Sequence, residues 1–406
     1  MVRNIVVLGG NSHPLFVDRV CEFLGVQPSK RVLNRFSSGE TRCEIQDSVR
    51  GKDVYIIQSF GVGTGIDHVN DYFIELCIMI SACKTGSAQR VTAVLPMFPY
   101  SRQPDLPYAK AGAPRDTFES VPATPASSIP RTDGLTNGVE ITDVMMTRTS
   151  KNGGAQTPPP TTTHQYTTHD YENQNLAMQV QARTGYKHWV AQAGSLVADL
   201  LTCAGADRIL TCDLHEGTYQ GFFDIPVDNL YARPLLKRYI QQNIENWRDA
   251  VIVSPDAGGA KRATAIADSL GLAFALIHKE RRPTRITDRQ KATMMLVGDV
   301  ANRVCILVDD LADTANTITR AAKLLKKEGA VRVIALLTHG VLSGDAIARI
   351  NASALDAIIV TNTVAQDSHR RALCPKLEVL DISPFFAEAI RRVHHGESIS
   401  VLFQYD

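Results

Sequence analysis

Ten short apolar runs, rich in β-branched residues, punctuate the chain at 4–9, 53–59, 90–96, 207–213, 250–256, 274–279, 303–310, 332–340, 357–363 and 377–383. Their apolar character is nearly continuous, not alternating, as in strands buried on both faces. The stretches between them are long enough for helices that return the chain to the same edge. This pattern predicts an α/β fold with parallel sheets covered by helices. Two units, 200–215 and 324–340, each run from a helix end through Gly-Ala into a strand, which favours two related halves. The join is placed near 225–234, giving domains of 1–230 and 231–406.

Residues 104–187 break the pattern. They hold nine of the 19 prolines and a Pro/Thr-rich run, with no apolar periodicity to offset the entropy of ordering. This stretch is expected to be a disordered insertion in the N-terminal half. The 406 residues otherwise suffice for two buried cores. A net charge of +1 gives no global basic field for nucleic acid. The eight cysteines sit mostly in apolar runs without CxxC pairs and read as reduced core residues. No stretch reaches ~18 uninterrupted apolar residues, so a cytoplasmic location is expected, with neither membrane nor nucleic acid as partner.

The chemistry gathers at strand ends, where α/β sheets bind ligands. The segment RVCILVDDLADTANTITRAAKLL (303–325) runs an apolar strand into Asp309 and Asp310, then Asp313, then a helix. Three carboxylates at one turn repel unless something cationic or hydrogen-bonding sits among them. Backbone amides of Asp313, Thr314, Ala315, Asn316 and Thr317, with the two threonine hydroxyls, would receive a phosphate. Asp309 and Asp310 would then face sugar hydroxyls or a hydrated Mg²⁺. An ordinary acidic N-cap would account for Asp313 alone and leave the pair unexplained. Two other strands end in acids: Asp213 with His215, and Asp256 followed by Gly258-Gly259, which permits close backbone approach. The basic segment 278–291, starting with Lys279 and Arg281, is either a solvated loop or one that closes over a polyphosphate. Phe36 could stack on a base, and Arg102 and Gln103 could meet phosphate and polar edges.

The motifs RFSSGET, SVRGKDVYIIQS, VTAVLPMFPYSRQ, CDLH, QGFFDIPVDNLY, VSPDAGGAKR, ALIHKER, ILVDDLADT and EAIRRVHHGESIS, in this order, closely resemble the ribose-phosphate pyrophosphokinases over essentially the whole chain except 104–187. The insertion is similar to those of fungal members. The resemblance implies two phosphoribosyltransferase-type domains and Mg²⁺-dependent transfer of the β,γ-diphosphoryl group of ATP to the 1-hydroxyl of ribose 5-phosphate, in a homo-oligomer or a hetero-oligomer with paralogous subunits. It implies ATP contacts from Phe36, Ser38 and Glu40 of a neighbouring subunit and from Arg102 and Gln103. It implies metal contacts around Asp213, His215, Asp224, Asp228 and Asp256, with Asp256 also on the sugar side. Asp309 and Asp310 would hold the ribose hydroxyls, 313–317 the 5-phosphate, and Lys279 and Arg281 the transferring group. Four departures stand out: Ser38 and Asn316 replace more usual residues, EGT follows His215, and WVAQAGS (189–195) lacks a basic pattern of the family. They raise a second expectation, a regulatory subunit with little turnover. A plain phosphoribosyltransferase is disfavoured by the ATP-side motifs.

Overall fold

The computed structural model describes residues 4–61, 68–102, 193–280, 293–366 and 374–403. These all fall within one compact unit. The insertion 104–187 lies outside the described residues, as do Gln103 and Arg281.

All ten expected strands form. β1 (Ile5–Gly9), β4 (Asp53–Ile57), β5 (Arg90–Leu95), β6 (Arg208–Cys212) and β7 (Val227–Leu230) make a five-stranded sheet in that order, parallel throughout. β8 (Val251–Ser254), β9 (Ala273–Glu280), β10 (Thr293–Val297), β11 (Val304–Ala312), β12 (Arg332–Gly340), β13 (Ala357–Thr361) and β14 (Leu377–Leu380) make a seven-stranded sheet of order β10-β9-β8-β11-β12-β13-β14. The segment 225–234, where the join is expected, contains β7, the edge strand of the first sheet.

Four strands were not anticipated. β2 (Arg31–Arg35) and β3 (Thr41–Ile45) form an antiparallel hairpin, β7 is only four residues long, and β10 pairs antiparallel with β9. Each hairpin strand has three polar residues in five, and β10 is TMMLV, whose methionines favour helix as readily as strand. β11 also runs to Ala312, two residues past Asp310, because Leu311 and Ala312 keep pairing with β12 after β8 has ended. The acidic pair therefore lies inside the strand, beyond the end of its neighbour.

Helices α1 (Pro14–Leu24), α2 (Val69–Thr85), α3 (Ala193–Ala204), α4 (Arg233–Asn243), α5 (Ala260–Leu270), α6 (Asn316–Lys327), α7 (Ala346–Asn351) and α8 (Ser383–His395) cover the sheets. The largest core is shared by both sheets: Val7, Tyr55 and Leu210 of the first meet Ile252, Ile306 and Ile334 of the second through Phe16 of α1, Ile266 of α5 and Phe386 of α8. Phe16 and Phe386 meet edge to face at 5.4 Å. A second core packs α2 and α3 on the outer face of the first sheet, and a third packs α6 and α7 on the second. All eight cysteines are free, five of them buried.

Asp53, buried at the start of β4, fastens the last helix to the first sheet. It accepts from Arg90 Nε at 2.9 Å and from His394 Nδ1 at 2.8 Å. Burial opposes its ionisation, but the hydrogen bond and charge of Arg90, helped by His394, hold its carboxyl below the usual range. A depressed carboxylate stabilises the fold above its unfolded pKa and ceases to do so as pH falls through its folded pKa. Asp53→Asn should therefore destabilise the protein by about 1–3 kcal/mol at pH 7, with the difference from wild type shrinking below about pH 4. Urea unfolding at both pH values checks this.

Candidate active site

The carboxylates at the end of β11 do have cations among them. Asp310 is buried, and its two oxygens take different partners: His215 Nδ1 lies 2.7 Å from Oδ2, and an Arg262 terminal nitrogen lies 3.1 Å from Oδ1. His215 arrives from the loop after β6 in the first sheet, Arg262 from the first turn of α5 in the second. The same guanidinium nitrogen is 3.8 Å from Asp309 Oδ1. Burial works against a charge on Asp310, but the His215 hydrogen bond and the Arg262 charge overcome it and bring its pKa well down. Burial and the adjacent Asp310 charge push Asp309 well up. The two carboxyls are thus shifted in opposite directions, Asp310 by its cationic partners and Asp309 by burial and its neighbour's charge, while Asp309 Oδ1 accepts from the Asp310 amide at 2.9 Å. His215 is shifted upward by its bond to Asp310.

Asp256 caps the turn before α5, its Oδ1 accepting from the Gly259 amide at 2.9 Å. A Cβ at Gly259 would lie 3.2 Å from Ser254 Oγ, 3.5 Å from Asp309 Oδ1 and 3.7 Å from Asp256 Oδ1, so this glycine lets the backbone pass close between the two carboxylates.

The loop after β11 is braced from behind. Asp313 accepts from Arg102 at 2.6 Å and from the Ser343 hydroxyl. Arg349 of α7 donates to the Thr314 carbonyl, and Thr319 Oγ1 to the Ala315 carbonyl at 2.8 Å. The loop turns at Ala315, whose φ of 59° is left-handed, and α6 starts at Asn316 with no side chain capping its first turn. The residue under backbone constraint is therefore Ala315, not Asn316. A β-branched side chain there is strained, so Ala315→Val should cost about 2 kcal/mol or more in urea unfolding, whereas Ala315→Gly should change stability by less than about 1 kcal/mol.

Asp213 lies near this cluster, where its charge acts on Arg262, while the other expected residues make separate contacts. Asp213 Oδ2 is taken inside the protein by the Ala232 amide at 3.0 Å and Thr338 Oγ1 at 2.6 Å. Asp228 pairs with Arg208, and Asp224 is exposed. Phe36, Ser38 and Glu40 form the tip of the β2–β3 hairpin, where Phe36 is 53% exposed and Ser38 Oγ donates to Glu40 Oε2 at 2.9 Å. Lys279 is the penultimate residue of β9, with the basic segment beyond it outside the described residues. Among the described residues no group of three or more His, Cys, Asp and Glu side chains is arranged to hold a metal ion. Arg262, Ser343 and Arg349 were not singled out from the sequence. Only Arg262 left a trace, as the last letter of the DAGGAKR run.

A parallel five-stranded sheet and a seven-stranded sheet parallel except at β10, with an acidic pair near the end of β11 and a backbone loop opening a helix beyond it, define a two-sheet α/β protein of phosphoribosyltransferase type. Comparison with known proteins narrows the class. Residues 5–111 match the N-terminal domain of ribose phosphate pyrophosphokinase and residues 283–404 the phosphoribosyl synthetase-associated domain. Ribose-phosphate pyrophosphokinase 5 of Schizosaccharomyces pombe is 48% identical over 407 aligned positions, covering 100% of this chain and 99% of its own. The crystal structure of phosphoribosylpyrophosphate synthetase from Mycobacterium smegmatis superposes with a TM-score of 0.71 at 32% identity, covering 97% of this chain and 100% of that one. The chain belongs to the ribose-phosphate pyrophosphokinase family. The regulatory-subunit alternative is not favoured by these matches.

Proposed function

We propose that the cluster around Asp310 is the sugar and cation side of a ribose-phosphate pyrophosphokinase active site. With the family comes the reaction: the 1-hydroxyl oxygen of ribose 5-phosphate attacks the β-phosphorus of ATP, the bond to the α,β-bridging oxygen breaks, AMP leaves and the hydroxyl proton is lost. The observation that carries the site reading is the convergence of His215 from one sheet and Arg262 from the other on the buried Asp310.

Asp309 and Asp310 would receive the ribose hydroxyls, their carboxyl oxygens accepting from them. The amides at 313–317 would receive the 5-phosphate, with Ser343 and Arg349 keeping the loop in place. Arg102, now paired with Asp313, would serve an ATP phosphate, with Gln103 beside it. Lys279 and Arg281 would stabilise charge developing on the transferring group, since phosphoryl transfer relies on positioning and neutralisation. Phe36, Ser38 and Glu40 sit on an exposed tip, which suits contact with adenine bound to a neighbouring copy or paralogous subunit.

Mg²⁺ fits this site. The ion prefers hard oxygen donors and usually takes only one or two carboxylates plus water and substrate oxygens. Asp256 and Asp309 flank Gly259, and His215 contacts the adjoining Asp310. Bound there, the ion would neutralise phosphate charge, while Asp213, Asp224 and Asp228 would act at most through neighbouring groups. A cytoplasmic location accords with the absence, among the described residues, of any helix long and apolar enough to cross a membrane. The test of the site is Asp310→Asn, which should abolish most turnover. A variant with wild-type turnover would refute the assignment.

A further inference from the structure

We propose that Thr338 and His339, at the end of β12, are positioning residues for the transfer reaction, holding the left-handed turn at Asp213 that presents His215 to Asp310. The inference rests on the proposed function and extends it to residues buried behind the site: Thr338 is 0% exposed and His339 3%.

Asp213 has a φ of 40°, a conformation unfavourable for any residue with a Cβ and two positions before His215. Such strain persists only where the surroundings over-determine it, and it concentrates at functional sites. The surroundings here are explicit. The Asp213 amide donates to the Leu230 carbonyl at 2.8 Å, and Asp213 Oδ2 accepts from the Ala232 amide at 3.0 Å, both within the first sheet's own edge. The remaining contacts come from the other sheet. Thr338 Oγ1 donates to Asp213 Oδ2 at 2.6 Å, and His339 Nε2 lies 3.1 Å from the Cys212 carbonyl and 3.2 Å from that of Asp213. A nitrogen facing two carbonyls must carry the proton, so Nδ1 accepts from Thr363 Oγ1 at 2.9 Å.

The chain of bonds continues into the first sheet. Ser59 Oγ donates to the Thr363 carbonyl, the Ser59 amide donates to Ser12 Oγ at 2.9 Å, and Ser12 Oγ donates to Gln58 Oε1 at 2.6 Å. Gln58 in turn donates to the buried Glu75 of α2 at 2.8 Å. The geometry of His215 is therefore set jointly by both sheets, through hydroxyls that never reach the ligand side. A displacement of about 1 Å in a positioned active-site group can cost on the order of 100-fold in rate.

The experiment compares Thr338→Val, which keeps the shape and deletes the donor, with Thr338→Ser, which keeps the hydroxyl, in the full-length chain with Mg²⁺, ATP and ribose 5-phosphate. The valine variant should lose roughly 10- to 100-fold in kcat with KM for ribose 5-phosphate changed less than about 3-fold, and serine should restore most of the loss. Thr363→Val and Thr363→Ser should repeat the pattern more weakly from the far side of His339. Wild-type kcat in Thr338→Val, or a change confined to KM, overturns the proposal. Failure of both valine variants to fold where the serine variants do would make the hydroxyls structural and overturn it too. No turnover by wild type run alongside would count against the proposed function itself.

Discussion

Arg262→Met is expected to lower kcat/KM by roughly 100- to 1000-fold, the scale seen when one preorganised charge is removed from a site excluded from water. The side chain is three-quarters buried and stands between Asp309 and Asp310, whose repulsion it offsets. Methionine fills similar volume, so the loss would be electrostatic. With Arg262 gone, Asp310 keeps only His215, and a buried carboxylate losing one of two partners should destabilise the fold by about 3 kcal/mol. Steady-state kinetics with a urea melt measure both quantities. Arg262→Lys should recover part of each, because an ammonium restores the charge but not the planar fork. Undiminished kcat/KM in Arg262→Met would mean that Asp310 works without a second cation and that Arg262 has no part in the reaction.

Lys279→Ala and Arg281→Ala should each lower kcat by about 1000-fold while the dissociation constant for ribose 5-phosphate moves less than about 3-fold. Cations that engage only the charge developing on a transferring phosphoryl group contribute on this scale and act in the transition state, not in sugar binding. Lys279 lies at the end of β9, which pairs antiparallel with β10, so 281–292 is the connection between those two strands. Single-turnover rates and equilibrium binding separate the two effects. Equal losses in both would place these residues on the sugar side instead.

Sequence legibility divides along physical lines. Strands buried on both faces announce themselves as continuous apolar runs, and all ten of those formed. The β2–β3 hairpin and β10 lie at edges or half in solvent, where side chains carry less of the burial signal. The acidic pair stood out because charge directly after CILV conflicts with burial unless a partner exists. The partner was harder to see. Arg262 reads as an ordinary cation in the first turn of a helix, and nothing local ties it to residues 48 positions later. Asp213 shows the reverse case: an acid at a strand end reads as a candidate ligand, and nothing local tells that Thr338, 125 residues away, donates to one of its oxygens. Similarly, 313–317 reads as a phosphate-receiving loop, but which of its residues turns left-handed is not legible locally: it is Ala315, with α6 beginning one position later. Motif order, which depends on many such long-range contacts at once, conveyed the family where single residues could not.

The most direct measurement follows the label when the purified chain is given ATP carrying radioactive γ-phosphate, ribose 5-phosphate and Mg²⁺. The account predicts unlabelled AMP and labelled 5-phosphoribosyl 1-diphosphate in equal amounts, with no ADP. Appearance of ADP, or the absence of AMP and labelled product at protein concentrations where the chain is folded, would contradict it.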